Sequence, residues 1–369
     1  MNFVCEKTLL NEAVIAAQRG AAVKSSFPAL EGLLLTAKDG KLKITGYDLD
    51  LGIECTIEAE IGEQGAIVLN SRIFGEIIRK LPDDIISVSN DNKMITNIKC
   101  GISEFNIIGI SADEFPELPN VTREKTIKIP QNILKSMIRQ TLFAVSASDN
   151  KPVHTGALIT IDGKTIKIAA VDGFRLALRE ETLEESYENI SFVVPGKTLS
   201  EILKILKDND SLVYIGLAKK HIVFEIDNVV LISRLLEGEF LNYKNVIPKE
   251  ANITAVVNVR QFLDCIERAA LLINEKIKSP IRCSFEYEII KISSRTAIGT
   301  VYDELFAAIK GDNIEVGFNN RYMEEALKAC ETEKVKIEMN TSLSPIVLKP
   351  IEGNKFTFLV LPVRLKNDD

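Results

Sequence analysis

Three segments of this 369-residue chain carry one pattern at a nearly constant spacing. LNSRIFGEIIRKL (69–81), VPGKTLSEILKIL (194–206) and FNNRYMEEALKAC (318–330) align without a gap at offsets of 125 and 124. A second family, Leu42-Lys43-Ile44, Ile166-Lys167-Ile168 and Ile290-Lys291-Ile292, recurs at offsets of 124 and 124. Two independent families sharing one period make the chain a triplication, so whatever one copy folds into is built three times. Phe74, Ile78 and Leu81, then Leu199, Leu203 and Leu206, then Met323, Leu327 and Cys330 recur at helical spacing, after an Asn or Gly suited to an N-terminal cap. Each copy also opens with a short apolar strand leading into a second amphipathic helix: KTLLNEAVIAAQ, QNILKSMIRQTL and RQFLDCIERAALL. The order per copy is strand, helix, several strands, helix, several strands. EFPELP (114–119) and EFLNYK (239–244) mark the close of the first two copies. The polar stretches at 120–125 and 248–252 then divide the chain into domains 1–121, 122–248 and 249–369. No long linker separates them, so the domains are expected to pack rather than hang on tethers. The fold class expected is α+β, with two helices packed on antiparallel sheets in each copy.

Composition narrows the chemistry. Two histidines, His154 and His221, and no Trp leave few groups that exchange protons near neutral pH, which argues against hydrolase or metalloenzyme chemistry. The six cysteines, at 5, 55, 100, 265, 283 and 330, include no CxxC pair and sit among apolar neighbours, as core residues of a protein in a reducing cytosol would. The N-terminus has Glu6 and Glu12 and no apolar stretch of signal type, and no run approaches 18 uncharged apolar residues, so a cytoplasmic chain without membrane contact is expected.

A net charge of −7 speaks at first against nucleic acid. The excess is local, however. Lys+Arg against Asp+Glu runs 11 to 18 in residues 1–121, 17 to 16 in 122–248 and 17 to 18 in 249–369. The second helix of every copy carries a cation pair seven residues apart: Arg72 and Arg79, Lys197 and Lys204, Arg321 and Lys328. Seven residues is about two turns, so both cations share one face, opposite the apolar stripe. Glu76, Glu201 and Glu325 stand four residues after the first cation, so plain surface ion pairs are the competing reading. Three repeats of one cationic face, without aromatics for stacking, favour duplex phosphate backbone over single strands.

Other motifs fail. Pro195-Gly196-Lys197-Thr198 ends like a phosphate loop, but position 191 is Ser where that loop needs Gly. Asp172 and Arg175 in Val171-Asp172-Gly173-Phe174-Arg175 offer an acid beside a base, yet a turn stabilised by Asp is the default reading, and the third copy has Ser294-Arg295-Thr296 there. No nucleophile, base and orienter, and no metal-ligand cluster, can be assembled, so neither catalysis nor a cofactor is expected.

The triplication, VDGFRLA (171–177), EFLNYKNVIP (239–248), RAALLINEK (268–276) and LPVRL (361–365) together resemble the bacterial beta sliding clamp of the replicative DNA polymerase, along the whole chain. The resemblance implies three tandem clamp-type domains forming half of a six-domain ring, a head-to-tail homodimer with helices lining the hole. It implies a non-enzymatic processivity factor that encircles double-stranded DNA without sequence specificity. The partners implied are the polymerase catalytic subunit, the clamp loader, and other polymerases and repair proteins. Lys24, Arg72 and Lys197 match DNA-side positions of the family; Arg79, Lys204, Arg321 and Lys328 are added from the repeat. Phe105, Leu271 and Leu272 match its subunit interface. Its peptide pocket between the second and third domains maps to His154, Val171, Gly173, Phe174, Arg175 and Leu176, to Leu241 and Val246, and to Leu359, Leu361, Pro362, Val363 and Arg364. Three pocket positions depart from the family: Phe174 where His is common, Leu241 for Pro, and His154 for Leu. The chain also runs four residues past Leu365. Two readings compete with the clamp: a scaffold of the same fold that does not encircle DNA, and an enzyme resting on Asp172 and Arg175 alone.

Overall fold

The computed structural model describes residues 1–121, 126–148, 150–273 and 279–365. Part of the first domain boundary, the end of RAALLINEK and the Lys-Asn-Asp-Asp extension therefore lie outside the described residues.

The first repeat runs β1 (Asn2–Glu6), α1 (Lys7–Gln18), β2 (Gly32–Lys38), β3 (Lys41–Tyr47), β4 (Leu51–Glu58), β5 (Glu60–Glu63), β6 (Gly65–Asn70), α2 (Ser71–Lys80), β7 (Ile85–Asn90), β8 (Ile95–Cys100) and β9 (Ser103–Ile108). The second runs β10 (Thr126–Pro130), α3 (Gln131–Leu142), β11 (Gly156–Val171), β12 (Arg175–Pro195), α4 (Gly196–Ile205), β13 (Leu212–Leu217), β14 (His221–Ile226) and β15 (Val229–Arg234). The third runs β16 (Ile253–Asn258), α5 (Val259–Ala270), β17 (Ile281–Glu286), β18 (Ile289–Thr296), β19 (Gly299–Phe306), β20 (Ala308–Lys310), β21 (Ile314–Phe318), α6 (Asn320–Ala329), β22 (Lys334–Met339), β23 (Ile346–Lys349) and β24 (Phe356–Val360). The order expected from the repeat is present three times.

Local chemistry explains the helix starts. Asn70 Oδ1 accepts from the Ile73 amide at 3.0 Å, Asn258 Oδ1 from Gln261 at 3.0 Å and Asn319 Oδ1 from Tyr322 at 3.4 Å, each occupying an amide that helix geometry leaves without a partner. Phe74, Ile78, Leu199, Met323 and Leu327 are buried as their spacing requires, while Leu203 and Cys330 are only half-buried. All six thiols are free, and burial pushes Cys5 up to about 12 and Cys55 up to about 11. Among the described residues no helix is long and apolar enough to cross a membrane.

Two compact units divide the chain: Met1–Asn132 with Glu201–Leu235, and Ile133–Ser200 with Leu236–Asp369. The first contains a five-stranded sheet, β5-β1-β7-β8-β9, and an eight-stranded sheet, β10-β13-β14-β15-β4-β3-β2-β6, with α1 packed on α2, β3 and β4. The second contains a seven-stranded sheet, β11-β12-β24-β23-β22-β16-β20, and a four-stranded sheet, β19-β18-β17-β21, with α5 packed on α6, β18 and β19.

One sheet in each unit is shared by two repeats. The last strand of the second repeat, β15, pairs antiparallel with β4 of the first, placing Leu231 opposite Ile53. The last strand of the third, β24, pairs antiparallel with β12 of the second, placing Phe358 opposite Ala177. Ile53 and Ala177 are 124 residues apart, so one junction is built twice. The strands that would make a third, β9 and β19, stand at the edges of their sheets.

Candidate functional site

The β12·β24 junction carries an apolar groove on one face. Successive residues of a strand point to opposite faces, so Leu176 and Leu359 face the groove while Arg175 and Phe358 face the helices. Ala169, Val171, Leu176, Tyr243, Val347 and Leu359 form its buried base, and Leu158, Leu178, Phe240, Val246, Ile247 and Leu361 pack on it half-buried. Of the residues expected here, Val171, Leu176, Val246, Leu359 and Leu361 meet in this cluster. Leu241 and Val363 are exposed at its margins, and His154 lies edge-on to Phe240 at 5.4 Å. Burial, helped by the Lys151 charge, lowers the His154 pKa.

The turn from β11 to β12 needs its residues. Asp172 Oδ1 accepts from the amides of Phe174 and Arg175 at 3.0 and 3.1 Å, and Gly173 takes φ +91°, a conformation costly for any residue with a Cβ. This local turn occupies the Asp172 carboxylate. Its second oxygen accepts from Arg175 Nε at 2.8 Å.

Arg175 is not a groove wall. Its residue is only 8% exposed, and its guanidinium pairs with Glu325 of α6 as well as Asp172. It also lies over the rings of Tyr322, at 4.7 Å, and Phe143, at 5.5 Å. Burial raises the Glu325 pKa, but hydrogen bonds from Arg175 and Arg321 outweigh it and hold the carboxyl below its usual value. Phe174, 58% exposed, stacks on Tyr322 at 5.9 Å, and its carbonyl accepts from the Leu361 amide at 2.8 Å. The Val363 amide donates to the Gly317 carbonyl at 2.7 Å, so Leu361, Pro362, Val363 and Arg364 run as a strap anchored at two points.

The helix cations are all exposed, and their pairing is uneven. Arg72 Nε is 3.7 Å from Glu76, Arg321 Nε 2.9 Å from Glu325, Lys204 Nζ 2.7 Å from Glu201, and Lys328 Nζ 2.8 Å from Glu267. Among the described residues Lys24 and Arg79 make no ion pair. Lys197 sits exposed in the first turn of α4. The surface ion pairs weighed from the sequence thus form on α2 and α6, while on α4 Glu201 turns to Lys204 and to Arg19, at 3.3 Å. Of the interface residues, Phe105 is 39% and Leu271 78% exposed, and Leu272 reaches within 3.2 Å of where a Cβ on Gly299 would stand.

The sequence reading missed Tyr243 and Val347 at the groove base, Phe240 packed on it, and Tyr322, Phe143 and Glu325 around Arg175. Phe240 and Tyr243 lie in the EFLNYK segment, which repeats Phe115 of the first copy, and that signal could have found them.

Three family descriptions cover the chain: the DNA polymerase III beta subunit N-terminal domain over residues 1–119, the central domain over 128–242 and the C-terminal domain over 244–364. The beta sliding clamp of Staphylococcus epidermidis is 37% identical over 351 residues, covering 92% of this chain and 93% of that protein. The beta sliding clamp of Bacillus subtilis is 34% identical over 376 residues, covering 99% and 100%. The crystal structure of the DNA polymerase sliding clamp from Bacillus subtilis superposes with a TM-score of 0.96 at 34% identity, covering 99% of this chain and 100% of that one. With its three domain types in order along one triplicated chain, this protein belongs to the DNA polymerase III beta subunit family, the beta sliding clamps.

Proposed function

We propose that two copies of this chain join head to tail into a ring that encircles duplex DNA, slides without sequence preference and tethers the replication machinery. The observation that carries this is the recurring junction. β15 on β4 and β24 on β12 leave, among the described residues, β9 and β19 as the two strands of that series whose outer edge has no partner. An open edge is a template for another strand, and these two complement each other. Phe105 corresponds to Leu231, because the β8·β9 and β14·β15 hairpins pair Ile98 with Phe105 and Phe224 with Leu231. Val301 stands 124 residues after Ala177. Phe105 of one copy therefore faces Val301 of the next, beside Leu271 and Leu272, and a two-fold repetition of this contact closes the ring.

The domains are 1–121, 122–248 and 249–369. Lys24, Arg72, Arg79, Lys197, Lys204, Arg321 and Lys328 face the DNA. Ring closure holds the protein on DNA, so phosphate contacts need only be weak, and cations half-neutralised by their own glutamates suit sliding. The groove on β12 and β24 takes short peptide segments of the polymerase catalytic subunit, the clamp loader and other polymerases and repair proteins. The protein acts in the cytoplasm without catalysis, and the engagement of Asp172 in a turn and a buried ion pair supports that reading over an enzyme.

The test is retention. Placed on DNA by a clamp loader, the protein stays on closed circles and leaves after the circle is cut; equal retention on both would overturn the proposal. Arg79→Ala, which removes an unpaired cation, lowers the salt dependence of DNA association by about one phosphate contact, and Arg321→Ala by less.

A further inference from the structure

The β4·β15 junction of the first unit has a groove of its own, about 720 Å³ in volume. It is built as the second-unit groove is built. Leu34 stands where Leu158 stands, Phe115 where Phe240, Val121 where Val246, and Ile232 where Leu359, and residues 112–121, the equivalent of 237–246, form a strap of this groove's own. The chemistry differs along the lining, and Gly52 stands where Leu176 stands. Glu54 replaces Leu178, Thr45 replaces Ala169, and Leu118 replaces Tyr243. Glu54 binds Lys43 Nζ at 3.0 Å and accepts from Thr45 Oγ1 at 3.4 Å, so its charge is half-satisfied by groups of the groove itself. Leu118 reaches within 2.7 Å of where a Cβ on Gly52 would stand, and thus fills the space that the side chain of Leu176 claims in the other groove. Leu118 thus takes up part of the apolar floor that Val223, Val230 and Ile232 share, and Glu54 and Thr45 make the rest of that face polar. Asp113 and Glu117 stand exposed on the strap, and among the described residues no cation lies within ion-pair distance of either. Lys43 is thus the one cation of the lining, against the carboxylates of Glu54, Asp113 and Glu117.

We propose that this groove is a second peptide-docking site, taking a linear segment with a single aliphatic or aromatic anchor flanked by lysine or arginine. The narrow floor admits one anchor, and the acidic strap selects the flanks, because complementary charge sets which partner is accepted. In the second-unit groove Gly238 and Asn242 stand where Asp113 and Glu117 stand here, so that groove has no such preference. The inference rests on the peptide reading of the second-unit groove through their shared build, so the two are tested together.

The experiment measures fluorescence anisotropy of labelled Lys-Lys-Leu-Phe-Lys-Arg on the full-length protein, beside Gln-Gln-Leu-Phe-Gln-Gln and an anchorless Lys-Lys-Gly-Ser-Lys-Arg. Reversing both strap charges, Asp113→Lys with Glu117→Lys, weakens the cationic peptide roughly tenfold, and Ile232→Ala weakens it too. Leu361→Asp leaves it unchanged while abolishing the uncharged peptide. Unchanged melting temperatures show that the variants fold. The inference is overturned if Leu361→Asp removes the cationic peptide, if the strap variant binds it as the parent does, or if the anchorless peptide binds equally well. Binding of the uncharged peptide alone sinks this inference and spares the second-unit groove; binding of neither sinks both.

Discussion

The two junctions where repeats share a sheet have the same strands, the same direction and the same turn, yet different undersides. Asp48 Oδ1 accepts from the amides of Asp50 and Leu51 at 3.0 and 2.7 Å, repeating the bonds that Asp172 makes 124 residues later. Beneath the first junction the strand begins with buried Leu51; beneath the second it begins with Arg175, bound to Asp172 and Glu325. The backbone pattern is thus indifferent to what a given position buries, provided that it is apolar or fully paired. The first turn even tolerates Leu49 at φ +81° where the second has Gly173. Geometry was conserved across the copies while side-chain chemistry diverged, and the grooves above the junctions differ accordingly.

Six substitutions break or sharpen this comparison. The largest effect is expected where the junction is made between molecules. Phe105→Asp places a carboxylate in the strand edge, and sedimentation should show a monomer, with dimer affinity weakened roughly a hundredfold or more and the melting temperature of the monomer preserved. The matching change inside the chain, Leu231→Asp, should instead unfold the first unit, since Leu231 is fully buried. A dimeric Phe105→Asp protein would show that the open edges are not a third junction.

Arg175→Ala takes the buried guanidinium from two carboxylates, leaving Glu325 to Arg321 and Asp172 to its turn amides, and removes the cation beside two rings, so denaturant unfolding should show a loss of about 3 kcal/mol. Leu51→Ala at the equivalent place removes only apolar packing and should cost about 2 kcal/mol or more through the cavity it leaves. Equal and small costs at both positions would mean that the junctions do not depend on what lies beneath them.

Leu49→Gly gives the first turn the residue of the second. Relief of the left-handed conformation should stabilise the protein by about 1 kcal/mol, raising the melting temperature slightly. No gain would place the strain elsewhere.

The smallest effect concerns His154. Its folded pKa lies below the usual 6.5, so the neutral form is favoured by folding. That contribution is complete above about pH 6.5 and fades as pH falls through the lowered value. His154→Leu should flatten the stability profile in that acidic window while leaving it unchanged at pH 8, and an unaltered profile would exclude the histidine as its source.

The triplication, two helices in each copy and their buried faces were legible because helical spacing repeats locally, as with Phe74 and Ile78 or Met323 and Leu327. The division into two units was not. Nothing in the alternation of β4 or β15 says that Ile53 meets Leu231, because strand periodicity fixes which face a residue takes and not which strand it neighbours. The helix cations were readable, but their ion pairs were only half so: Glu325 pairs with Arg321 four residues earlier, as spacing suggests, and also with Arg175, 150 residues away. The Val171, Leu176 and Leu359 base of the groove came through resemblance rather than pattern, and Tyr243 and Phe240 lie in a segment that carries the resemblance without being among the positions matched to the pocket.

Sharing each sheet with the following repeat makes the number of loose ends independent of length. A chain of one, three or five such repeats would always finish with one donor strand of the β9 type and one acceptor of the β19 type. Edge chemistry therefore cannot count subunits or repeats. Closure must be decided by the angle accumulated per repeat, and an inserted or deleted repeat would leave every contact chemically satisfied while sending the assembly from a circle into a spiral.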